Sequence, residues 1–189
     1  MVILFPPTLA QRGDALPSST SPVSVDAARR IIAYNEAVFA RYARAARRLP
    51  WRVAVRNQDI GHLSIFRTLV HILNVHEVWM LYIVQGRGRE LDDLFRQSYR
   101  HPADWAGFRP YSDGVWEGLR SFAAQLTVRE LSRPVKAPWM PGKYCVGDAV
   151  LQTTFEQAHH LGEIIGVLWQ RNEEPPPMTW IDVNRGLGR

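Results

Sequence analysis

Apolar residues recur at helical spacing in four stretches of the chain. Between Ser24 and Leu49, Ile31, Val38, Tyr42, Ala45 and Leu49 fall on one stripe, with Asn35 among them. Arg29, Glu36, Arg44 and Arg47 lie on the far side, Ser24 offers an N-cap and Pro50 a stop. The second stretch, Ser64 to Gln85, is apolar nearly all round, from Ile65 and Phe66 to Leu81 and Ile83, and Gly86 ends it. Such a helix is buried on most sides, by its own bundle or by a second subunit. One narrow polar stripe interrupts it: Ser64, Arg67, His71 and Asn74. A third helix is expected from about Ser112 to Leu126, with Val115, Leu119, Phe122 and Leu126 inward. The fourth runs from about Asp148 to Arg171, and its strongest apolar stripe is Leu151, Phe155, Ala158, Ile165 and Trp169.

The connections are long. Residues 86–111 read as a link with a short helix around Leu91–Gln97, and residues 127–146 read as irregular, because Pro134, Pro138, Pro141 and Gly142 punctuate them. Residues 1–22 form a Pro/Ser-rich leader, expected to be mobile. The tail, 173–189, breaks the last helix with three consecutive prolines and is expected to lay Trp180 back on the bundle. Four long helices and no strand series predict an all-α protein: one four-helix bundle over 23–172, with long crossover connections.

A length of 189 residues suits one such domain, and 46% apolar with 22% charged residues is ordinary for a globular protein. The net charge of +5 raises the question of a nucleic-acid partner. The basic residues answer it. Only Lys136 and Lys143 are lysines, and the arginines are spread along the chain between acids, with no basic run. No nucleic acid is expected. A single cysteine, Cys145, allows no disulfide within the chain and points to a reducing compartment. The N-terminal Met-Val-Ile-Leu-Phe-Pro-Pro lacks a basic start and is not a convincing signal peptide. Leu69 to Val84 contains His71, Asn74, His76 and Glu77, a poor membrane span. The expectation is a cytoplasmic protein with no membrane partner.

The chemistry concentrates on the fourth helix. Glu156 and His160 are four residues apart, so both side chains share one face at about 5–6 Å between Cβ atoms. Two such donors can chelate one ion, and His71, on the polar stripe of the second helix, is the best third. Two imidazoles and a carboxylate suit zinc first, and also nickel, iron or cobalt. Three protein donors leave a position for water or substrate, as in catalytic sites. The plainer reading is a solvated Glu–His pair; the apolar stripe of the fourth helix, nearly opposite that pair, supports it, whereas Ile164 and Val167 flank the pair on its own side and favour a helix covered on both faces. Glu163 shares the face of His160 and reads as an acceptor behind it, as a general base, or as a surface carboxylate. His159 points about 100° away from His160, and His76 about 140° from His71. His62 and His101 fall in loops and read as solvated; Cys145 reads as small packing.

The first helix reads Tyr34-Asn-Glu-Ala-Val-Phe-Ala-Arg-Tyr, the second opens Leu63-Ser-Ile-Phe-Arg-Thr-Leu-Val-His71-Ile-Leu-Asn, and the fourth carries His159-His160-Leu-Gly162-Glu163-Ile. Over about residues 25–172 this resembles the DinB/YfiT-like four-helix metalloproteins, a superfamily that includes mycothiol-dependent maleylpyruvate isomerases. The resemblance implies metal ligands at His71 and His160, and at Glu156 where most of the family has His; the isomerases use a His, Glu, His set. The family's Arg-Gly-Gln is here Leu161-Gly162-Glu163. The resemblance further implies a divalent cofactor, zinc or nickel, a small-molecule substrate or a low-molecular-weight thiol, a homodimer, and a thiol-dependent transferase, isomerase or hydrolase with Glu163 moving protons. A non-catalytic metal or ligand module and a helical interaction protein stay open beside the enzyme.

Overall fold

The computed structural model describes residues 20–87, 90–91 and 102–187. Most of the leader, most of the short helix expected over Leu91–Gln97, and His101 lie outside the described residues.

The architecture is all-α with one small hairpin. Helix α1 is Val25–Arg48; Ser24 caps it by accepting the Ala27 N–H, and the extended Leu49 ends it. A short helix α2, Trp51–Val55, follows directly, with Pro50 at its N-cap. Pro50 therefore stops one helix and starts the next, as a residue that needs no N–H partner can. Helix α3, Ile65–His76, is capped by Ser64 and continues as a π-helical segment, Glu77–Ile83. The sequence pattern gives one continuous α-helix there; the wider i→i+5 hydrogen bonding shifts which residues face inward. Val78, Trp79, Met80 and Ile83 are buried, and Leu81 and Tyr82 only partly. Gly86, at φ +73, sits just past it in the left-handed conformation.

Helix α4 is Trp105–Gln125, two turns longer at its start than the pattern predicts. Pro110 lies inside it, which is why the sequence places the start later. The Asp104 carboxylate accepts the Gly107 N–H at 2.9 Å, and Trp105 and Phe108 pack with Trp51 and Phe66 at ring-centroid distances of 5.0–6.1 Å. That aromatic cluster outweighs the hydrogen bond lost at the proline. At the other end Arg29 donates to the carbonyls of Ala123, Ala124 and Leu126, joining α1 to the C-terminus of α4.

Residues 127–146 are not irregular. They hold a short helix α5, Val128–Leu131, and an antiparallel pair, β1 (Pro134–Ala137) and β2 (Met140–Cys145). Val135 pairs Tyr144 and Ala137 pairs Met140, with an irregularity between them. The prolines that hid these strands sit where a two-stranded ribbon tolerates them, Pro134 at a strand start and Pro141 exposed. Trp79 of the π segment meets Trp139 and Tyr144 of the hairpin.

Helix α6, Val146–Trp169, closes the bundle against α1 and α3. Phe155 and Trp169 of its apolar stripe are 67% and 64% exposed, whereas Thr153, Gln157, His160, Leu161, Ile164, Val167 and Leu168 are buried. The side of His160 faces inward, with Ile164 and Val167 flanking it, and three polar side chains sit there among apolar ones. A buried polar chain crosses the core at that face. Asn35 of α1 donates to Thr154, Gln157 donates to the Asn35 carbonyl at 3.0 Å, and the Gln157 Oε1 meets His76 Nε2 at 2.9 Å. The last helix, α7 (Trp180–Leu187), lies on α1; Tyr34 and Tyr42 donate to the Met178 and Pro176 carbonyls. No described helix is long and apolar enough to cross a membrane.

Candidate metal centre

Three elements converge at the loop end of the bundle. His71 stands two turns into α3, on the face that also carries Arg67 and Asn74. His160 stands on the inward face of α6 and is 7% exposed. Their rings meet edge to face, centroids 4.6 Å apart. The third element is the loop between α2 and α3. Asp59 and Leu63 both take left-handed backbone there, at φ 56 and φ 68. Leu63 is held in that costly conformation by two hydrogen bonds: its N–H donates to the Ile60 carbonyl at 2.7 Å, and its carbonyl accepts the Gln58 N–H at 2.6 Å. The folded-back loop lays His62 on His71, stacked at 3.5 Å, and against His160 at 4.9 Å.

His62 is therefore not a solvated loop histidine, as its sequence context suggests. It is half-buried, and donor atoms of His62, His71 and His160 all lie within 4.8 Å of one another. No helical periodicity could have announced it, because the loop conformation alone brings it in. His76, in contrast, turns to the core and bonds Gln157. Burial drives its pKa down to about 4, so it stays neutral in the folded protein.

Two carboxylates flank His160. Glu156 Oε2 lies 3.6 Å from His160 Nε2, too far for a good hydrogen bond. Glu163 Oε2 lies 2.9 Å from His160 Nδ1 and its Oε1 accepts the Gly61 N–H at 3.1 Å. A Cβ at Gly61 would come within 2.7 Å of the Glu163 oxygen, so a larger residue there would shift this carboxylate. Glu163 thereby ties the His62 loop to α6. An ionised carboxylate only accepts, so it keeps a proton on His160 Nδ1 and leaves Nε2, 3.6 Å from Glu156, as the atom open to a cation. His159 is mostly exposed and reaches Glu163 Oε1 at 4.0 Å.

Burial works against a charged His160, but Glu156 and Glu163 outweigh it and raise its pKa. His160 beside it holds the Glu156 carboxyl below its usual range. Burial and the neighbouring His160 hold His62 below the usual histidine value, favouring its neutral form. Three imidazoles thus lie within 4.8 Å of one another with a carboxylate beside His160, and a bound cation would take the place of the proton that the carboxylates favour there. Ligand atoms at about 2.0–2.1 Å around a tetrahedral zinc stand roughly 3.4 Å apart. The 3.6 Å pair and the cluster within 4.8 Å reach that spacing with small side-chain movements. The donor set fits a divalent metal of the zinc type.

Beside the cluster lies a cavity of about 800 Å³ between the His62 loop and α3. The family model of the DinB superfamily matches residues 31–164, a segment that contains His62, His71, Glu156, His160 and Glu163. No curated protein matches the chain.

Proposed function

The chain belongs to the DinB superfamily, and from that premise we propose a divalent-metal-dependent enzyme acting on thiol adducts or small hydrolysable substrates. His71, His160 and Glu156 hold the cation, zinc before nickel, and His62 supplies a further imidazole. The observation that carries this reading is the approach of three imidazoles from three separate elements, His62, His71 and His160, to within 4.8 Å of one another, with the Glu156 carboxylate 3.6 Å from His160. Once bound, the metal supplies a Lewis acid that favours the ionised form of a thiol or water at neutral pH. The chain's own contribution is positional. Glu163 fixes the His160 tautomer, α3 and α6 hold the donors at bundle rigidity, and the cavity admits a substrate. Both oxygens of Glu163 are engaged, by His160 and Gly61, which favours an orienting role over a free proton carrier.

Elemental analysis of tag-free protein tests the proposal. One metal per chain is expected, lost in His71→Ala, together with metal-dependent turnover of thiol adducts or small esters. Protein that carries no stoichiometric metal and takes up none sinks it. The donor count favours one second reading. With His62 the site offers four protein donors, the number of a closed structural site. A non-catalytic metal module then predicts unfolding on chelation and no exchangeable position in the cobalt-substituted spectrum.

We also propose a homodimer seated on the outward apolar stripe of α6, and a cytoplasmic location, in keeping with the free, buried Cys145.

A further inference from the structure

Glu163 faces two donors from two different elements. Its Oε2 lies 2.9 Å from His160 Nδ1 on its own helix, and its Oε1 accepts the Gly61 N–H at 3.1 Å from the loop between α2 and α3. A side chain that serves both must accept twice, which a carboxylate does and an amide cannot, because one end of an amide donates. The other described backbone hydrogen bonds of the loop stay within it or at its flanks. Gln58 donates to Leu63, Leu63 to Ile60, Ser64 to His62, and Asp59 to the Asn57 side chain. A loop fastened so locally opens at low cost unless a contact outside it holds it. Gly61, His62 and Leu63 also form one wall of the cavity of about 800 Å³. The backbone of Gly61 is not left-handed, so φ does not demand a glycine. What a side chain would meet there is Glu163, with a Cβ only 2.7 Å from Oε1.

From this we infer that Gly61 is a positioning residue of the metal centre: its N–H holds Glu163 in the orientation that fixes His160, so cation binding at His160 and closure of the 57–63 loop over the cavity favour each other. The inference rests on the reading of the histidine cluster as a metal site, and it adds the link between that site and the loop. Two carboxylates flank the His160 ring, Glu156 on the Nε2 side at 3.6 Å and Glu163 on the Nδ1 side at 2.9 Å. With a cation on Nε2, the ring proton stays on Nδ1 and Glu163 is its acceptor. The carboxylate so held presents its other oxygen to Gly61. Linkage makes the effect mutual: a loop held shut by Gly61 returns the same free energy to the cation.

Two measurements on the full-length protein test this link: zinc affinity by competition with a chelating dye, and hydrogen exchange of the Gly61 amide with and without saturating zinc. Gly61→Ala should weaken zinc binding about ten-fold, although residue 61 offers no side-chain donor, and should leave the thermal midpoint of the zinc-free protein unchanged. Combined with Glu163→Gln, it should bind zinc no more weakly than Glu163→Gln alone, because residue 61 acts through residue 163. Zinc should slow exchange of the Gly61 amide by about five-fold or more in the wild type. In zinc-saturated Glu163→Gln that slowing should vanish, since the amide that serves His160 turns a donor towards Gly61. Wild-type affinity in Gly61→Ala overturns the inference. So does a loss that adds in full to that of Glu163→Gln, or slowing by zinc that survives Glu163→Gln; both would trace the link to His62 instead. Each of these outcomes leaves the metal reading standing, because wild-type zinc uptake is measured in the same titration. A wild-type protein that takes up no zinc removes both.

Discussion

The two faces of α6 each depart from the usual rule for an amphipathic helix, one by exposed aromatics and the other by buried polar groups. The outward face carries Phe155 and Trp169, among the most exposed large apolar side chains described. The inward face carries Thr153, Gln157 and His160, each at 7% exposure or less. Leu161, Ile164, Val167 and Leu168 are buried on that side as well, so apolar burial and polar pairing favour the same orientation. The pairing is specific: Gln157 satisfies His76 and the Asn35 carbonyl, and His160 meets His71 and His62. Buried polar groups are costly without partners, and these partners exist only on that side. A helix that sets three polar groups into an otherwise apolar core face and leaves two aromatics exposed fits the proposed centre within and the proposed contact without.

That contrast can be broken from the inside first. His160→Ala should abolish stoichiometric metal, whereas Phe155→Ala, one turn away on the other face, should leave it intact; elemental analysis of the two purified variants decides. Equal metal content in both would erase the functional difference between the faces.

Acid probes the same inward face through His76. Its folded pKa, about 4, lies below the unfolded value near 6.5, so the unfolded chain takes the proton first. The stability this neutral histidine contributes is present above about pH 6.5 and is lost as pH falls towards 4. The full loss is about 3 kcal/mol. Denaturant midpoints between pH 7 and 4 should show it, and His76→Gln, which cannot titrate, should flatten that part of the slope. A slope unchanged by the substitution would place the acid sensitivity elsewhere.

A smaller effect sharpens the role of Glu163. Replacing it by Gln should weaken metal affinity by about 10–100-fold without removing the metal, the usual cost of losing a carboxylate behind a histidine ligand. Competition with a chelator measures it; an affinity equal to wild type would make Glu163 a surface carboxylate. The smallest effect on the fold is expected outside. Phe155→Ser with Trp169→Ser should change monomer stability by no more than about 0.5 kcal/mol per site. The same pair should convert a dimer to a monomer by light scattering, and an unaltered mass would remove α6 as the contact.

Much of the bundle was legible because its signals are local. Ser24, Ser64, Pro50 and Gly86 mark helix ends by backbone chemistry that needs no neighbours. The start of α4 was not, because Pro110 argues against a helix until Trp51, Phe66 and Trp105 are brought together. The hairpin was hidden by prolines that only an exposed ribbon accommodates. His62 was hidden by the left-handed turn at Leu63, which the sequence does not signal.

The sequence by itself determined the helices, the shared face of Glu156 and His160, and the polar stripe of α3, since each follows from spacing along one helix. Tertiary structure alone decided that α6 turns Thr153, Gln157 and His160 inward, that a loop histidine joins the cluster, and that Glu163 meets Gly61. Those depend on which partners lie across the core, and the burial energy of a polar group is set by its partner, not by its own position in the chain.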